Sequence, residues 1–169
     1  MEAPRREPAG PTRVALLGST GSIGRQAIDV LTAGGAGDFE IVALAAGRDA
    51  ATLAEQAARI RPQAVFLADA DAAPGLDLPP GTARLGGGDA LTELAVRDDV
   101  DMVIVATGGV VSLRPTLAAL ETGKVVATAN KETLVSAGHL VMPLADARAS
   151  EVAATDPVGP MASRLAWVR

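Results

Sequence analysis

Apolar positions along the chain fall into short continuous runs, separated by stretches with helical spacing. The first run, "RVALLG" (13–18), is followed by helical spacing over about 22–33, which predicts a strand and then a helix. "FEIVALAAG" (39–47) and a helical pattern at about 50–60 repeat that alternation. "QAVFLA" (63–68) leads into a Pro/Gly/Asp-rich surface loop over 69–88, with a short strand at Ala83–Leu85. Asp89 is placed to cap a helix over about 90–97. "VDMVIVATGG" (100–109) and "KVVATAN" (124–130) are two further apolar runs of strand length, and a last strong helix is predicted from Glu132 to Arg148. Near-continuous apolar strands are buried on both faces, as happens when helices cover a parallel sheet above and below. The pattern therefore predicts an α/β domain, a doubly wound parallel sheet with a Rossmann-like arrangement.

The predicted organisation is a mobile tail over residues 1–12, the Rossmann-like domain over 13–150 and an atypical tail over 151–169. In that last stretch, "EVAATDPVGPMASRLAWVR", the patterning weakens. A final helical turn packed on the domain and a disordered end both fit it.

Composition narrows the chemistry. Hydrophobic residues make up 49% of the chain but aromatics only 2%, so the core has to be built from Ala, Val, Leu and Ile. A formal charge of −5 argues against a nucleic-acid surface, though not against a local anion site. The chain has no cysteine, which excludes disulfides and thiolate metal sites, and its one histidine, His139, speaks against a histidine-based zinc site. His139 falls inside a predicted helix and reads as a packing or surface residue. No stretch approaches the roughly 18 consecutive apolar residues of a membrane span. The first eleven residues lack the apolar segment of a signal peptide, so a cytoplasmic protein is expected.

Gly18, Gly21 and Gly24 stand three apart between the first strand and the first helix. Gly18 lets the chain turn off the strand, Gly21 leaves room for a pyrophosphate, and Gly24 lets the helix lie close to the sheet. Amides near Ser19–Ile23 would face the ligand, and Ser19, Thr20 and Ser22 add hydroxyl donors. Each hydrogen bond to a charged group is worth about 1.5–3 kcal/mol, against about 0.3–1 for the helix dipole, so the hydrogen bonds dominate. A nucleoside-triphosphate loop is excluded, because Arg25 and Gln26 stand where Lys and Ser/Thr are needed. Without a ligand, the same glycines also fit a turn that binds nothing.

The second strand ends "ALAAGRDA". Arg48 follows Gly47 where an NAD site usually has an acid, which favours the 2′-phosphate of NADP. Arg59 and Arg61 lie farther along and are less able to reach. Asp49 would repel a phosphate unless it caps the next helix, and the helix cap is the favoured role. Asn130, Lys131 and Glu132 are expected at the carboxyl end of a strand, the edge where open parallel sheets bind ligands. By spacing alone, Lys131 and Glu132 equally suit a solvated helix start.

"GSTGSIG", "VALAAG", "LRPTLAALETGK" and "ANKETLVSAG" occur in this order, and together they resemble the amino-terminal part of the 1-deoxy-D-xylulose 5-phosphate reductoisomerases over about Arg13 to Leu144. That resemblance implies a reaction converting deoxyxylulose phosphate to methylerythritol phosphate in isoprenoid precursor synthesis, with NADPH and a divalent metal (Mg or Mn). It implies that Thr20, Gly21, Ser22 and Ile23 contact NADPH and that Gly47, Arg48 and Asp49 meet its adenosine phosphate end, although the family often has Asn where Asp49 stands. Asn130 and Glu132 are implied as cofactor contacts and Lys131 as a contact to the small-molecule substrate. The family's metal-binding Asp-Ser-Glu-His stretch has no counterpart after Leu144, and Asp146, Glu151 and Asp156 read as surface acids. The expectation is thus an NADPH-binding portion truncated before the metal site, with no catalytic or metal-ligating residue of its own and inactive by itself. A fragment and a truncated or frame-shifted gene product both fit that expectation. The face a second domain would cover leaves room for association between copies. The alternatives are a non-catalytic NADP-binding module or partner domain, and an oxidoreductase of another kind with its substrate domain on a separate chain.

Overall fold

Strand β1 (Thr12–Leu17) is buried from Val14 onward and is paired on both sides by parallel neighbours. It belongs to a computed structural model that describes residues 10–33, 38–129, 152–155 and 165–167, the last two as backbone only. The elements that follow are α1 (Ser22–Ala33), β2 (Phe39–Ala46), α2 (Ala50–Ile60), β3 (Ala64–Leu67), a 3-10 turn (Ala73–Gly75) and β4 (Ala83–Leu85). Next come α3 (Ala90–Ala95), β5 (Met102–Val105), α4 (Leu113–Glu121), β6 (Val125–Thr128), β7 (Val152–Thr155) and β8 (Leu165–Trp167). The strands form one sheet in the order β4-β3-β2-β1-β5-β6-β7-β8, parallel throughout except for β8. The α/β, doubly wound reading holds.

The strand order runs outward in both directions from β1 and β5. Right-handed crossovers therefore put α1 and α2 on one face and α3 and α4 on the other. Side chains alternate accordingly. Val14, Leu16, Leu44, Val65 and Ile104 pack with Ile28 and Leu53, while Ala15, Leu17, Val103, Val105 and Val126 pack with Leu94 and Leu120. In β2 the alternation slips, because Val14 pairs Ile41 but Ala15 pairs Ala43, so Val42 is an extra residue. Val42 and Ala43 then both join the α3/α4 face, as a β-bulge requires. The core is aliphatic, and each fully buried Leu, Val or Ile is worth about 1.5–3 kcal/mol.

At the amino edge of the sheet, polar groups tie β1 to the turn before β5. Arg13 Nε and Nη2 donate to the two oxygens of Asp101, at 3.0 and 2.8 Å, and Asp101 Oδ2 also accepts from the Arg13 amide at 2.9 Å. These hydrogen bonds hold the Asp101 carboxyl below its ordinary pKa. Arg97 pairs with Asp99 in the same turn at 2.6 Å and lowers that carboxyl likewise. Lys124 Nζ donates to the carbonyls of Arg97 and Val100, each at 2.7 Å, although burial lowers its pKa.

Several expectations need correction. Helix α4 occupies a segment that the patterning leaves unassigned, although Leu113, Leu117 and Leu120 keep helical spacing; Pro115 sits in its first turn, where no backbone bond is lost. α3 ends at Ala95 instead of 97, with the Val96 amide bonded to Thr92. Asp89 precedes α3 but makes no side-chain cap; its carboxylate pairs with Arg114 at 2.7 Å. β5 ends at Val105, where its register with Leu17 runs out, and Val110 and Val111 in the loop beyond are 73% and 59% exposed. In the tail the described segments are strands, β7 extending the parallel sheet beside β6 and β8 returning antiparallel. Neither a helical turn nor disorder describes them. Residues 1–9 of the expected tail, the helix expected over 132–148, His139, Asp146, Glu151 and Asp156 lie outside the described residues.

Candidate functional site

The sequence order of the strands reverses between β1 and β5, and in an open parallel sheet the crevice beyond the carboxyl ends of such a pair is where ligands bind. Gly18 leaves β1 at φ +89°, in the left-handed region that favours glycine. Its amide and that of Ser19 both donate to the Ala45 carbonyl at the end of β2, at 2.8 and 2.9 Å. A Cβ on Gly18 would sit 2.9 Å from the Ala106 carbonyl and 3.0 Å from Thr107 Cγ2, so this turn is wedged between the ends of β1 and β5.

Gly24, on the first turn of α1, is also required by packing. A Cβ there would overlap the Gly18 carbonyl oxygen and come within 2.7 Å of Ser19 Cα. Gly21 differs from both. A Cβ on it would meet only Gly18 O at 3.5 Å and Ala106 O at 4.0 Å, ordinary contacts, and its φ is not positive. Nothing within the described residues demands glycine at this exposed position.

The loop offers donors. The Gly21 amide bonds Gly18 O at 3.2 Å and the Arg25 amide bonds Gly21 O at 2.9 Å. The amides of Thr20, Ser22, Ile23 and Gly24 have no backbone acceptor among the described residues. Ser19, expected among the hydroxyl donors, is instead fully buried, and its carbonyl accepts from Gln56 Nε2 at 2.9 Å. Ser19 thus anchors the loop to α2. The hydroxyls of Ser19 and Thr107 are buried without a partner among the described residues.

The second turn lies at the end of β2. Gly47 is exposed, and a Cβ added to it would meet nothing within 4 Å; Arg48 is exposed with no side-chain partner among the described residues. Asp49 caps α2, its Oδ1 accepting from the Thr52 amide at 3.0 Å, in the role the sequence favours. That bond, then the Thr52 side chain and the nearby Arg25 charge, hold the Asp49 carboxyl below its ordinary pKa. Arg25 joins the two turns. Its Nε donates to Thr20 O at 2.9 Å, and its Nη2 stands 3.6 Å from Asp49 Oδ2. Arg59 lines a groove of about 390 Å³ between α1 and α2, on the helix flank, and Arg61 ends α2 in a left-handed conformation.

Thr20, Gly21, Ser22, Ile23, Gly47, Arg48 and Asp49 are therefore gathered along the carboxyl edge on neighbouring strand ends. Asn130, Lys131 and Glu132 lie outside the described residues; the chain reaches them from Ala129, whose amide bonds the Val105 carbonyl at 3.0 Å on the same edge. Arg25, Gln56 and Thr107 are contributors that sequence reasoning misses. The available signal was a glutamine in phase with Leu53 and Ala57 on the core side of α2. Four unpartnered amides and a glycine with no packing reason fit a dinucleotide diphosphate, and the free guanidinium of Arg48 at the end of β2 fits a further phosphate. Among the described residues no group of three or more His, Cys, Asp or Glu side chains is placed to hold a metal ion. No helix among them is long and apolar enough to cross a membrane.

Comparison with known proteins identifies the family. The sequence profile of 1-deoxy-D-xylulose 5-phosphate reductoisomerase matches residues 14–138. The enzyme of that name from Symbiobacterium thermophilum is 45% identical over 152 residues, covering 85% of this chain and 38% of the relative. That from Anaeromyxobacter sp. (strain K) is 46% identical over 147 residues, covering 85% and 37%. Among solved structures, the Zymomonas mobilis reductoisomerase in complex with NADPH superposes with a TM-score of 0.73 at 34% identity, over 86% of this chain and 39% of that one. A reductoisomerase with NADPH, fosmidomycin and magnesium gives 0.74 at 30% identity, over 85% and 36%. The chain spans less than two fifths of the length of the curated relatives it matches. By sequence and by fold, it belongs to the 1-deoxy-D-xylulose 5-phosphate reductoisomerase family, whose amino-terminal, dinucleotide-binding part it matches.

Proposed function

We propose that these residues bind NADPH as the cofactor portion of an enzyme that reduces and isomerises deoxyxylulose phosphate to methylerythritol phosphate. The observation that carries this reading is Gly21, an exposed glycine without a packing reason beside the unpartnered amides of Thr20, Ser22, Ile23 and Gly24. Those amides donate to the diphosphate, and the absent Cβ of residue 21 lets the backbone approach it. Gly47, Arg48 and Asp49 form the adenosine phosphate end, where Arg48 pairs with the 2′-phosphate. Asn130 and Glu132 hold the nicotinamide half and Lys131 grips the substrate. Bound NADPH supplies the hydride.

The chain covers 38% and 37% of the relatives named, and the described residues provide no metal-binding cluster. Reduction with rearrangement needs a Lewis acid or its equivalent at the substrate oxygens. We therefore assign these 169 residues cofactor binding without turnover, and assign them to the cytoplasm as part of a metabolic enzyme.

Fluorescence titration of the chain with NADPH and with NADH tests the cofactor reading. Saturable NADPH binding, at least about tenfold tighter than NADH, is expected from one charged contact to the 2′-phosphate. Saturable binding of neither nucleotide overturns it. Incubation with deoxyxylulose phosphate, NADPH and manganese is expected to consume no NADPH; turnover above background would overturn the assignment of inactivity.

A further inference from the structure

Asp49 puts a carboxylate one residue from the guanidinium assigned to the 2′-phosphate, and its low pKa keeps it ionised at neutral pH. A carboxylate so near a phosphate dianion works against NADPH and is neutral or favourable toward NADH, which has a hydroxyl there. The cap explains why the acid is tolerated by the fold but does not remove its charge. Arg25 does so in part. Its guanidinium reaches across from α1, tied to Thr20 O at 2.9 Å, with Nη2 3.6 Å from Asp49 Oδ2 and 3.5 Å from Thr52 Oγ1. Both partners are well exposed, at 57% and 41%, and an exposed ion pair contributes little to folding. Its consequence falls on the charge at the mouth of the second turn.

We propose that Arg25 is a positioning and specificity residue for the cofactor: it compensates the Asp49 carboxylate at the end of β2 and so keeps the adenosine phosphate end selective for NADPH over NADH. The inference rests on the cofactor reading given above. Arg25 acts on this selectivity through Asp49, and its bond to the Thr20 carbonyl holds the guanidinium in place to do so. Loss of the charge leaves Asp49 opposed to the phosphate, and loss of both charges restores the balance.

The test is a set of NADPH and NADH titrations on the full 169-residue chain and on Arg25→Gln, Arg25→Lys, Asp49→Asn and the Arg25→Gln/Asp49→Asn double variant. Asn remains a good helix cap, so Asp49→Asn keeps α2 intact, and thermal melts check each variant for folding. Arg25→Gln is expected to weaken NADPH about tenfold, with NADH changed by less than about twofold, as one uncompensated charge near the surface requires. Arg25→Lys keeps most of the selectivity, and Asp49→Asn in the Gln background recovers it. An unchanged NADPH-to-NADH ratio in Arg25→Gln overturns the proposal. So does an equal loss of both nucleotides, or a double variant as weak as the single one. If the unaltered chain binds neither nucleotide, the cofactor reading itself is overturned and this inference with it; a chain that binds NADPH but ignores Arg25 overturns the inference alone.

Discussion

Three glycines at regular spacing do three different jobs, and a single added methyl separates them. Gly24→Ala drives a Cβ into the Gly18 carbonyl and the Ser19 backbone, neither of which can move without shifting the turn. Overpacking of that kind is expected to cost about 1–3 kcal/mol or more, read as a lower chemical-denaturation midpoint. Gly21→Ala meets only ordinary contacts, so its melting temperature is expected within about 2 °C of the parent, a change of no more than about 1 kcal/mol. NADPH binding is nonetheless expected to fall at least tenfold, because the new methyl stands where the diphosphate approaches. A Gly21→Ala variant that binds normally would count against the assigned path of the diphosphate. The spacing was readable in the sequence. Which glycine the fold needs and which it leaves free depends on what lies within 4 Å of each, and Ala106 and Thr107 are far away in sequence.

At the scale of elements, the apolar runs revealed five strands and the first two helices with little displacement, because those runs are buried from both sides. Helix α4 escaped because glycines and a proline surround a modest periodicity, yet its Leu120 is fully buried against β5 and β6 partners such as Val103 and Val126. Leu120→Ala is expected to destabilise the fold by about 2–5 kcal/mol in urea unfolding, the range for truncating a buried leucine. The end of α2 offers the opposite case. Arg61 holds φ 56°, a left-handed conformation that glycine adopts without strain, and its amide closes on Ala57 O at 2.8 Å. Arg61→Gly is expected to leave stability unchanged or raise it by up to about 1 kcal/mol, unusual for a glycine substitution. A clear drop in melting temperature would show that its side chain matters more than its backbone.

For the whole molecule, acid sensitivity follows from carboxylates that are hydrogen-bonded or ion-paired in the fold. Asp49, Asp99 and Asp101 all have folded pKa values below the ordinary one. Each therefore contributes stability that is fully present above the unfolded value, about 3.9, and is lost as pH falls through the lower folded values. Melting temperature is expected to decline on acidification below about pH 4, and Asp101→Asn is expected to flatten that decline. NADPH works in the other direction. A ligand that binds only the folded chain adds about 2.7 kcal/mol at a hundred times its Kd, so melting temperature should climb with NADPH concentration. NADH at equal concentration should raise it less.

The sequence by itself determined the fold class, the order of most elements, the glycine turn and the Asp49 cap. All of these leave a local signature in the chain, such as apolar runs, glycine spacing, or a cap like that of Asp49 Oδ1 on the amide of Thr52. Tertiary structure alone decided which strands lie side by side, and so where the order reverses between β1 and β5. It decided the bulge at Val42, the pairing of Asp89 with Arg114 and the joining of β7 to β6. It also brought Arg25 to Asp49. The physical reason is range: a turn or a helix is specified by dihedral preferences and spacing within a few residues. A partner across the sheet is chosen only when packing closes the core and carries distant side chains to one edge.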